Sequence, residues 1–282
     1  MSKDFKIETP FKPNGDQPEA ISKLTKNLKH GVKEQTLLGV TGSGKTFTIA
    51  NVIENINRPT VVMAHNKTLA AQLYEEFRQI FPNNAVHYFV SYYDYYQPEA
   101  YIPSSNTYIA KDSQINDHID QLRHAATSAL FNRRDVIIVS SVSCIYGIGS
   151  PKDYFNMAIE LKTKDSLNRE DLLSDLVKVQ YTRSRFELTR GSFRAIGNNV
   201  DIIPSNYEDK AVKVRFEENL ISDLYEIDPL NGEIIEELDS IIIFPSSHYV
   251  VEKMTTEKAI KSIEEELKEQ VGFLRSQGKL DE

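Results

Sequence analysis

The first half of the chain alternates short continuous apolar runs with segments whose apolar residues recur every three to four positions. The continuous runs predict strands at 35–38, 60–64, 85–89 and 135–139, with 60–64 and 135–139 expected to be fully buried. The periodic segments predict helices at 19–29, from the end of a glycine-rich loop to about residue 56, at 67–81 and at 117–131. This alternation is typical of a doubly wound, parallel α/β sheet.

The pattern changes after about residue 151. A helix is predicted at 166–177 with Ser166 as its N-cap, followed by short β-type runs at 192–196, 200–203, 211–216, 220–227 and 241–244. From residue 252 onward the chain reads as one charged helix. Its apolar stripe is Met254, Ala259, Ile263, Leu267, Val271 and Leu274. The second half therefore predicts an α+β module, inserted into or appended to the first.

The loop between the first predicted strand and helix fits G-x-x-x-x-G-K-S/T at every position. Its residues are Gly39, Val40, Thr41, Gly42, Ser43, Gly44, Lys45 and Thr46. Backbone N–H groups and the positive end of the helix dipole would converge on one phosphate. Lys45 would reach the β- and γ-phosphates and the Thr46 hydroxyl would ligate Mg²⁺. The loop predicts binding of a nucleoside triphosphate.

Half of the fourteen tyrosines lie between Tyr88 and Tyr108. Pro98 and Pro103 cannot donate to a central ladder, so this segment is expected to be an edge hairpin or a long loop. Consecutive tyrosines point to opposite faces of a strand, so both pairs at 92–96 cannot be buried against one sheet. Exposed rings can stack on bases. A hairpin packed on its own domain and a protein-binding patch are the alternatives.

The net charge of −8 is unevenly distributed. Residues 205–282 carry 19 acidic and 9 basic side chains, whereas residues 1–204 carry 22 acidic and 24 basic ones. The overall acidity therefore does not exclude a local nucleic-acid groove. Cys144, the single cysteine, is expected to be a buried, inert thiol and suits a reducing cytoplasm. No apolar run approaches the roughly 20 residues of a membrane span, and the N-terminus lacks a signal-peptide core, so no membrane association is expected.

Several ordered motifs resemble those of the UvrB family, the damage-verifying, helicase-like proteins of bacterial nucleotide excision repair. Besides the P-loop and the tyrosine segment, they are 15–18 (GDQP), 64–70 (AHNKTLA), 133–139 (RRDVIIV), 141–147 (SVSCIYG) and 244–249 (FPSSHY). The resemblance covers residues 11–279. It implies a P-loop, RecA-like α/β domain of helicase superfamily 2 with an inserted β-hairpin and an inserted α+β UvrA-binding domain.

The resemblance also implies domain limits and roles. The RecA-like domain would comprise 1–90 and 116–150, the strand-separating hairpin 91–115, the UvrA-interaction domain 151–249, and a helix returning to the first lobe 250–282. Gln17 would hydrogen-bond adenine, and the P-loop would hold ATP with Mg²⁺. The hairpin would pass between the strands of damaged double-stranded DNA. Its expected DNA contacts are Tyr92, Tyr93, Tyr95 and Tyr96 at the base, Tyr101 and Tyr108 nearer the tip, and Lys67 and Lys111 at phosphates.

Arg183, Arg190 and Arg194 match basic positions of the family's UvrA-docking face. The sequence departs from the family pattern at three places on this face. Ile196 stands where the family usually carries a second arginine in F-R-x-R-G, and the family's R-V-E reads Lys213-Val214-Arg215. Either the partner has changed to match or docking is weakened.

ATP hydrolysis requires more than a P-loop, because a carboxylate must hold Mg²⁺ through its water. The chain has no D-E-x-H motif, and Asp135 precedes its strand, whereas the metal-binding acid should follow one. We therefore expect an N-terminal piece of the family's protein that binds ATP weakly and does not hydrolyse it, with UvrC contacted through regions absent from this chain. Two alternatives stay open: another superfamily 2 translocase or transcription-repair coupling factor, and a non-catalytic UvrA-binding fragment.

Overall fold

A computed structural model describes residues 4–146, 149–250 and 253–282, and these residues divide into two compact units. One unit comprises Met1–Ser91 with Ile119–Gly147, and the other comprises Tyr92–His118 with Ile148–Glu282. The domain limits drawn from the sequence stay a prediction. Among the described residues, no helix combines the length and apolar character that crossing a membrane requires.

The helices are α1 (Gln17–Lys29), α2 (Lys45–Ile56), α3 (Lys67–Ile80), α4 (Asp117–Asn132), α5 (Pro151–Asn156), α6 (Arg169–Lys178) and α7 (Lys253–Ser276). The strands are β1 (Thr60–Met63), β2 (Ala85–Phe89), β3 (Tyr93–Gln97), β4 (Ala100–Ile102), β5 (Thr107–Ile109), β6 (Asp112–Ile115), β7 (Val136–Ser140), β8 (Ile159–Lys162), β9 (Thr182–Arg183), β10 (Ser192–Ile196), β11 (Asn199–Ile203), β12 (Ala211–Glu217), β13 (Leu220–Ile227), β14 (Ile234–Glu237) and β15 (Ser240–Ile243). Short 3-10 helices lie at Pro103–Ser105 and Val142–Ile145.

The first unit is built on a parallel sheet with the strand order β1-β7-β2. Its central strand, β7, is buried at every position, as its unbroken apolar run predicts. Helices α2 and α3 bury Ala50, Ile53, Ala70 and Phe77 in one core cluster with β7. The predicted α/β class with a parallel sheet is confirmed.

One strand prediction in this unit is wrong, and another is wrong in part. Residues 35–38 form no strand, because no described strand pairs with them; the Gln35 side chain instead donates to the Leu24 carbonyl of α1 and accepts from Asn27. Strand β1 is parallel but not fully buried, since Val61 and Met63 face outward from the edge strand with 60% and 53% of their surface exposed. Cys144 is half-buried in a 3-10 turn, not buried.

The tyrosine segment forms a hairpin of two successive antiparallel ladders. Strands β3 and β6 make the first ladder, and β4 and β5 make the second. Pro98 lies between the ladders, where its missing N–H removes no hydrogen bond of either one. The 3-10 turn at Pro103–Ser105 closes the tip.

A six-stranded sheet with the order β14-β13-β12-β11-β10-β9 forms the main part of the second unit. All of its pairs are antiparallel except β9 with β10. Helix α6 covers one face, where Leu172, Leu176 and Phe193 share a buried cluster with β11 to β13. This helix begins three residues later than predicted, because Asn168 caps it by accepting from Glu170 N, while Ser166 bridges to Leu220.

Strands β8 and β15 pair separately and pack on the same cluster as α6. The charged helix α7 follows, and its stripe residues Ile263 and Leu267 are exposed to 62% and 61%. The predicted stripe residue Met254 lies outside the residues whose side chains are described.

Candidate functional site

The P-loop has a backbone shape that only glycine adopts easily. Gly42 and Gly44 have φ angles of +81° and +75°, in the left-handed region. A Cβ on Gly39 would lie 2.5 Å from the Ser43 hydroxyl oxygen, so this glycine permits the close return of the loop. The three glycines therefore fix the curved path from residue 39 to the start of α2.

The first turn of α2 has no side-chain cap among the described residues. Gly44 occupies the N-cap position, so the first N–H groups of the helix remain available to a ligand. Such a terminus also carries about half a positive charge from the helix dipole, which favours an anion. Thr46 is the second residue of α2 and is half-buried.

Two side chains chosen from the sequence contact this loop directly. Lys45 folds back so that its Nζ donates to the carbonyl oxygens of Gly39 at 2.8 Å and Val40 at 2.9 Å. Gln17 donates through Nε2 to the Ser43 carbonyl at 3.0 Å, and its Oε1 accepts from Asn14 N at 3.1 Å. The structure thus brings Gln17 and Lys45 to the same loop, although 28 positions separate them in the chain.

Asp135, whose position before its strand argues against a role as a metal ligand, accepts hydrogen bonds at the start of β7. Its carboxylate accepts from Arg133 Nε at 3.0 Å, from Arg133 Nη2 at 2.6 Å and from Asn84 Nδ2 at 2.8 Å. Burial alone would raise the pKa of Asp135, but these hydrogen bonds and the Arg133 charge outweigh it and lower the pKa. Both carboxylate oxygens of Asp135 are therefore engaged, and they join the residues that precede β2 and β7.

A β-bulge decides how the tyrosine rings are arranged at the base of the hairpin. Tyr93 pairs with Ile115 but Tyr95 pairs with Gln114, so Asp94 is the extra residue. The bulge reverses the usual alternation and places Tyr93 and Tyr96 on the same face, with Tyr95 on the other. The Tyr93 and Tyr96 ring centroids lie 5.0 Å apart, and Tyr92 stacks on Tyr93 at 4.6 Å.

The predicted exposure of these rings is consistent with the structure. Tyr95 and Tyr96 are exposed to 47% and 49%, and Tyr92 and Tyr93 are half-buried against each other. On the other face, the Tyr95 hydroxyl donates to Gln97 Oε1 at 2.5 Å. The hairpin therefore presents three clustered rings on one face and a single ring on the other.

The remaining predicted DNA contacts divide between the hairpin and the first unit. Tyr101 and Tyr108 pair directly across the distal ladder, and Tyr108 is 67% exposed. The Lys111 ammonium lies 5.9 Å from the Tyr96 ring centroid, within cation–π range. Lys67 instead begins α3 in the first unit, where Asn66 caps the helix by accepting from Leu69 N at 2.8 Å.

Three of the predicted docking residues share one face of the six-stranded sheet with Ile196. Cross-strand pairing aligns Arg194, Asp201 and Lys213 in one row, and aligns Ile196, Asn199 and Arg215 in the next. Directly paired residues point to the same side of a sheet, and the opposite side is the buried one that α6 covers. Arg194, Ile196, Lys213 and Arg215 therefore belong to a single outward surface.

Two of the predicted docking arginines are already held by hydrogen bonds. Arg194 donates from Nη2 to Asp201 at 2.9 Å and from Nη1 to the Phe186 carbonyl at 3.3 Å. Arg190 donates to the Ser205 carbonyl at 3.2 Å and lies 3.9 Å from the Asp117 carboxylate. These contacts fix both guanidinium groups in position before any partner arrives.

A further cation lies beside the predicted docking arginines. Arg185 lines a cavity of about 370 Å³ together with two of the predicted docking arginines. The full lining is Arg183, Ser184, Arg185, Arg194, Ala195 and Ile196. The alternation of arginines at 183 and 185 was a visible signal, but only folding shows that both reach the same cavity.

Comparisons with known proteins confirm the family resemblance. Residues 159–249 match the UvrB interaction domain, and residues 10–140 match the type III restriction enzyme, res subunit. The chain is 56% identical over 280 residues to UvrABC system protein B of Caldicellulosiruptor saccharolyticus, and 53% identical over 280 residues to that of Bacillus subtilis. Both alignments cover 99% of this chain but 42% of the relative, so the chain spans less than half the length of these proteins.

Proposed function

Because this chain belongs to the UvrB family and spans part of its length, we propose that it is the nucleotide-binding and DNA-contacting part of a damage-recognition and verification subunit of bacterial nucleotide excision repair. The observation that carries the proposal is the exposed tyrosine hairpin. Stacking on rings is indifferent to base identity, which suits a protein that inspects DNA of any sequence. A transcription-repair coupling factor would have the docking module without this hairpin, so the hairpin favours the repair subunit.

Membership of a helicase-like family implies nucleotide binding, and we infer that the nucleotide is ATP with Mg²⁺. The metal would neutralise phosphate charge. The loop N–H groups from Gly42 to Thr46 would hold the phosphates, with Lys45 released from its two carbonyl acceptors and Thr46 facing the metal. Gln17, already against the loop, would hydrogen-bond adenine.

We expect ATP binding without measurable hydrolysis by this chain. The carboxylate that directly precedes β7 of the parallel sheet, Asp135, is committed to Arg133 and Asn84, which leaves it unsuited to hold Mg²⁺. Steady-state phosphate release with and without DNA is the measurement. A turnover that Lys45→Ala abolishes would contradict the expectation.

The DNA contact is tested with a duplex that contains a central bubble. Tyr95→Ala and Tyr96→Ala should each weaken binding by about 1–3 kcal/mol, or about five- to 150-fold. Tyr249→Ala is the matched control, because Tyr249 is a comparably exposed tyrosine outside the hairpin. Affinity should fall steeply as salt rises, since phosphate contacts release counterions. Equal affinity of all four proteins would remove the stacking role.

The proposed protein partner is UvrA, docked through the outward surface of the six-stranded sheet within residues 159–249. The match of these residues to the UvrB interaction domain supports this site. It also favours a second candidate function, in which this chain is a non-catalytic fragment that binds UvrA. If that function is correct, the chain should form a complex with UvrA and show no ATPase activity. Contact with UvrC would use regions outside this chain.

We propose the domain limits given by the family likeness for the longer protein: 1–90 with 116–150, 91–115, 151–249 and 250–282. We assign the protein to the cytoplasm, because a single cysteine, Cys144, suits a reducing compartment.

A further inference from the structure

The cavity beside β9 and β10 combines two sequence features that are eleven positions apart. Arg185 and Ile196 both line it. Ile196 stands where the family usually carries an arginine, and its side chain is 60% exposed. An exposed isoleucine contributes no charge to a docking surface, so the cavity lacks the guanidinium expected at that position.

Arg185 brings a guanidinium to the same cavity from the neighbouring strand end. Strand β9 pairs in parallel with β10, and Ser184 N donates to the Phe193 carbonyl at 2.9 Å. This pairing holds the segment after β9 alongside the end of β10, where Ile196 lies. The cavity is therefore lined by three arginines, Arg183, Arg185 and Arg194, although position 196 carries none.

The charges of the cavity favour an anionic occupant. Arg194 is neutralised by Asp201, which accepts its Nη2 hydrogen at 2.9 Å. Within the described ranges, the side chains of Arg183 and Arg185 have neither a hydrogen bond nor an ion pair. Two uncompensated guanidinium groups at one concave site match the planar, two-oxygen geometry of a carboxylate.

We propose that Arg185 replaces the family's arginine at position 196 as a specificity-determining residue, and that it binds a carboxylate side chain on an acidic surface of the docking partner. This inference rests on the proposed docking of UvrA. Under this proposal, Arg185 supplies to the cavity the positive charge that is missing at Ile196. A nucleic-acid phosphate would suit the same charges, but the cavity lies in the module that matches a protein-interaction domain.

The test measures binding of the 282-residue chain to UvrA from the same source by titration. Arg185→Ala should weaken binding at least about tenfold, because the partner carboxylate would be left unpaired. Adding Ile196→Arg to that variant should restore most of the loss. Lys178→Ala is the control, since Lys178 lies on α6 at the opposite side of the sheet. Thermal unfolding should be unchanged by Arg185→Ala, because the side chain is exposed and has no hydrogen bond or ion pair within the described part of the chain.

The possible failures are distinguishable. If Arg185→Ala binds like wild type while Arg183→Ala is weakened, docking stands and the role of Arg185 is refuted. If Ile196→Arg does not restore binding, the two positions do not share one site and the proposal is refuted. If Arg185→Ala weakens bubble-DNA binding and leaves UvrA binding intact, the occupant is a phosphate and the proposal is overturned. If wild type does not bind UvrA at all, the docking function fails and this inference fails with it.

Discussion

A methyl group placed on Gly44 should disturb the nucleotide loop in two ways that can be measured separately. The first is backbone strain, because φ at Gly44 is +75° and an L-residue there costs about 1–2 kcal/mol. The second is a collision, since the added Cβ would lie 2.4 Å from Gln17 Nε2. The colliding atom is the end of a flexible side chain, so Gln17 can turn away and lose its hydrogen bond to Ser43.

Gly42 isolates the first effect, because its φ is +81° and a Cβ there would meet nothing within 4 Å. We expect Gly42→Ala to lower the free energy of unfolding by about 1–2 kcal/mol. Gly44→Ala should cost about 0.5–1.5 kcal/mol more, which is the usual net worth of one hydrogen bond. Adding Gln17→Ala to Gly44→Ala should introduce little further loss, because the bond that Gln17→Ala removes is already broken.

Urea unfolding followed by circular dichroism on the two single glycine variants, Gln17→Ala and the double variant gives the complete cycle. The reasoning is refuted if Gly44→Ala and Gly42→Ala are equally stable. It is also refuted if the losses from Gly44→Ala and Gln17→Ala simply add, since independent effects would mean that the two side chains do not compete for space.

Three further predictions concern the first unit. Desolvation by burial, together with the Arg133 charge, lowers the pKa of His87 to about 4. The unfolded state therefore takes up the proton first, and the free energy of unfolding should fall as the pH drops from about 6.5 towards 4. His87→Gln should reduce that fall in acid unfolding curves by up to about 3 kcal/mol at the low end of this pH range. Asp135→Ala should lower the free energy of unfolding in urea by about 2–3 kcal/mol. This is below the roughly 3–5 kcal/mol lost when a fully buried ion pair is broken, because Arg133 is 38% exposed and can be hydrated. An undiminished stability would show that the ion pair is unimportant. Asn66→Ala should lower the free energy of unfolding by about 1 kcal/mol through loss of the α3 cap, whereas Asn66→Ser should keep most of the cap's stabilisation. Equal losses of stability in both variants would exclude capping as the cause.

The sequence predicts well those elements whose stabilising contacts lie within the element or are signalled by its pattern. Helix α3 is an example, because its apolar spacing and the Asn66 cap are both local. Strand β7 is another, since its unbroken apolar run is typical of a strand buried on both faces and β7 is buried at every position. Residues 35–38 show the limit: their composition suits a strand, but a strand exists only where a neighbour supplies hydrogen bonds, and composition does not reveal that neighbour.

The candidate sites divide in the same way. The P-loop is contiguous, so one short motif identifies its residues and predicts their roles. The contact of Gln17 with that loop and the placement of Arg185 beside Ile196 depend on how separate segments pack. The bulge at Asp94 is equally invisible in the sequence, because alternation alone would have placed Tyr93 and Tyr95 on one face.

That bulge also distributes the tyrosine rings unequally between the two faces of the hairpin. Tyr92, Tyr93 and Tyr96 form an aromatic patch on one side, and Tyr95 stands alone on the other with its hydroxyl tied to Gln97. If such a hairpin separated a duplex, it would contact one strand through three rings and the complementary strand through one ring. If Asp94 were taken into plain alternation instead of being left out of the pairing, Tyr96 would lie on the opposite side of the hairpin. Under the proposed DNA contact, the position of one residue without a ring would then decide which strand is held.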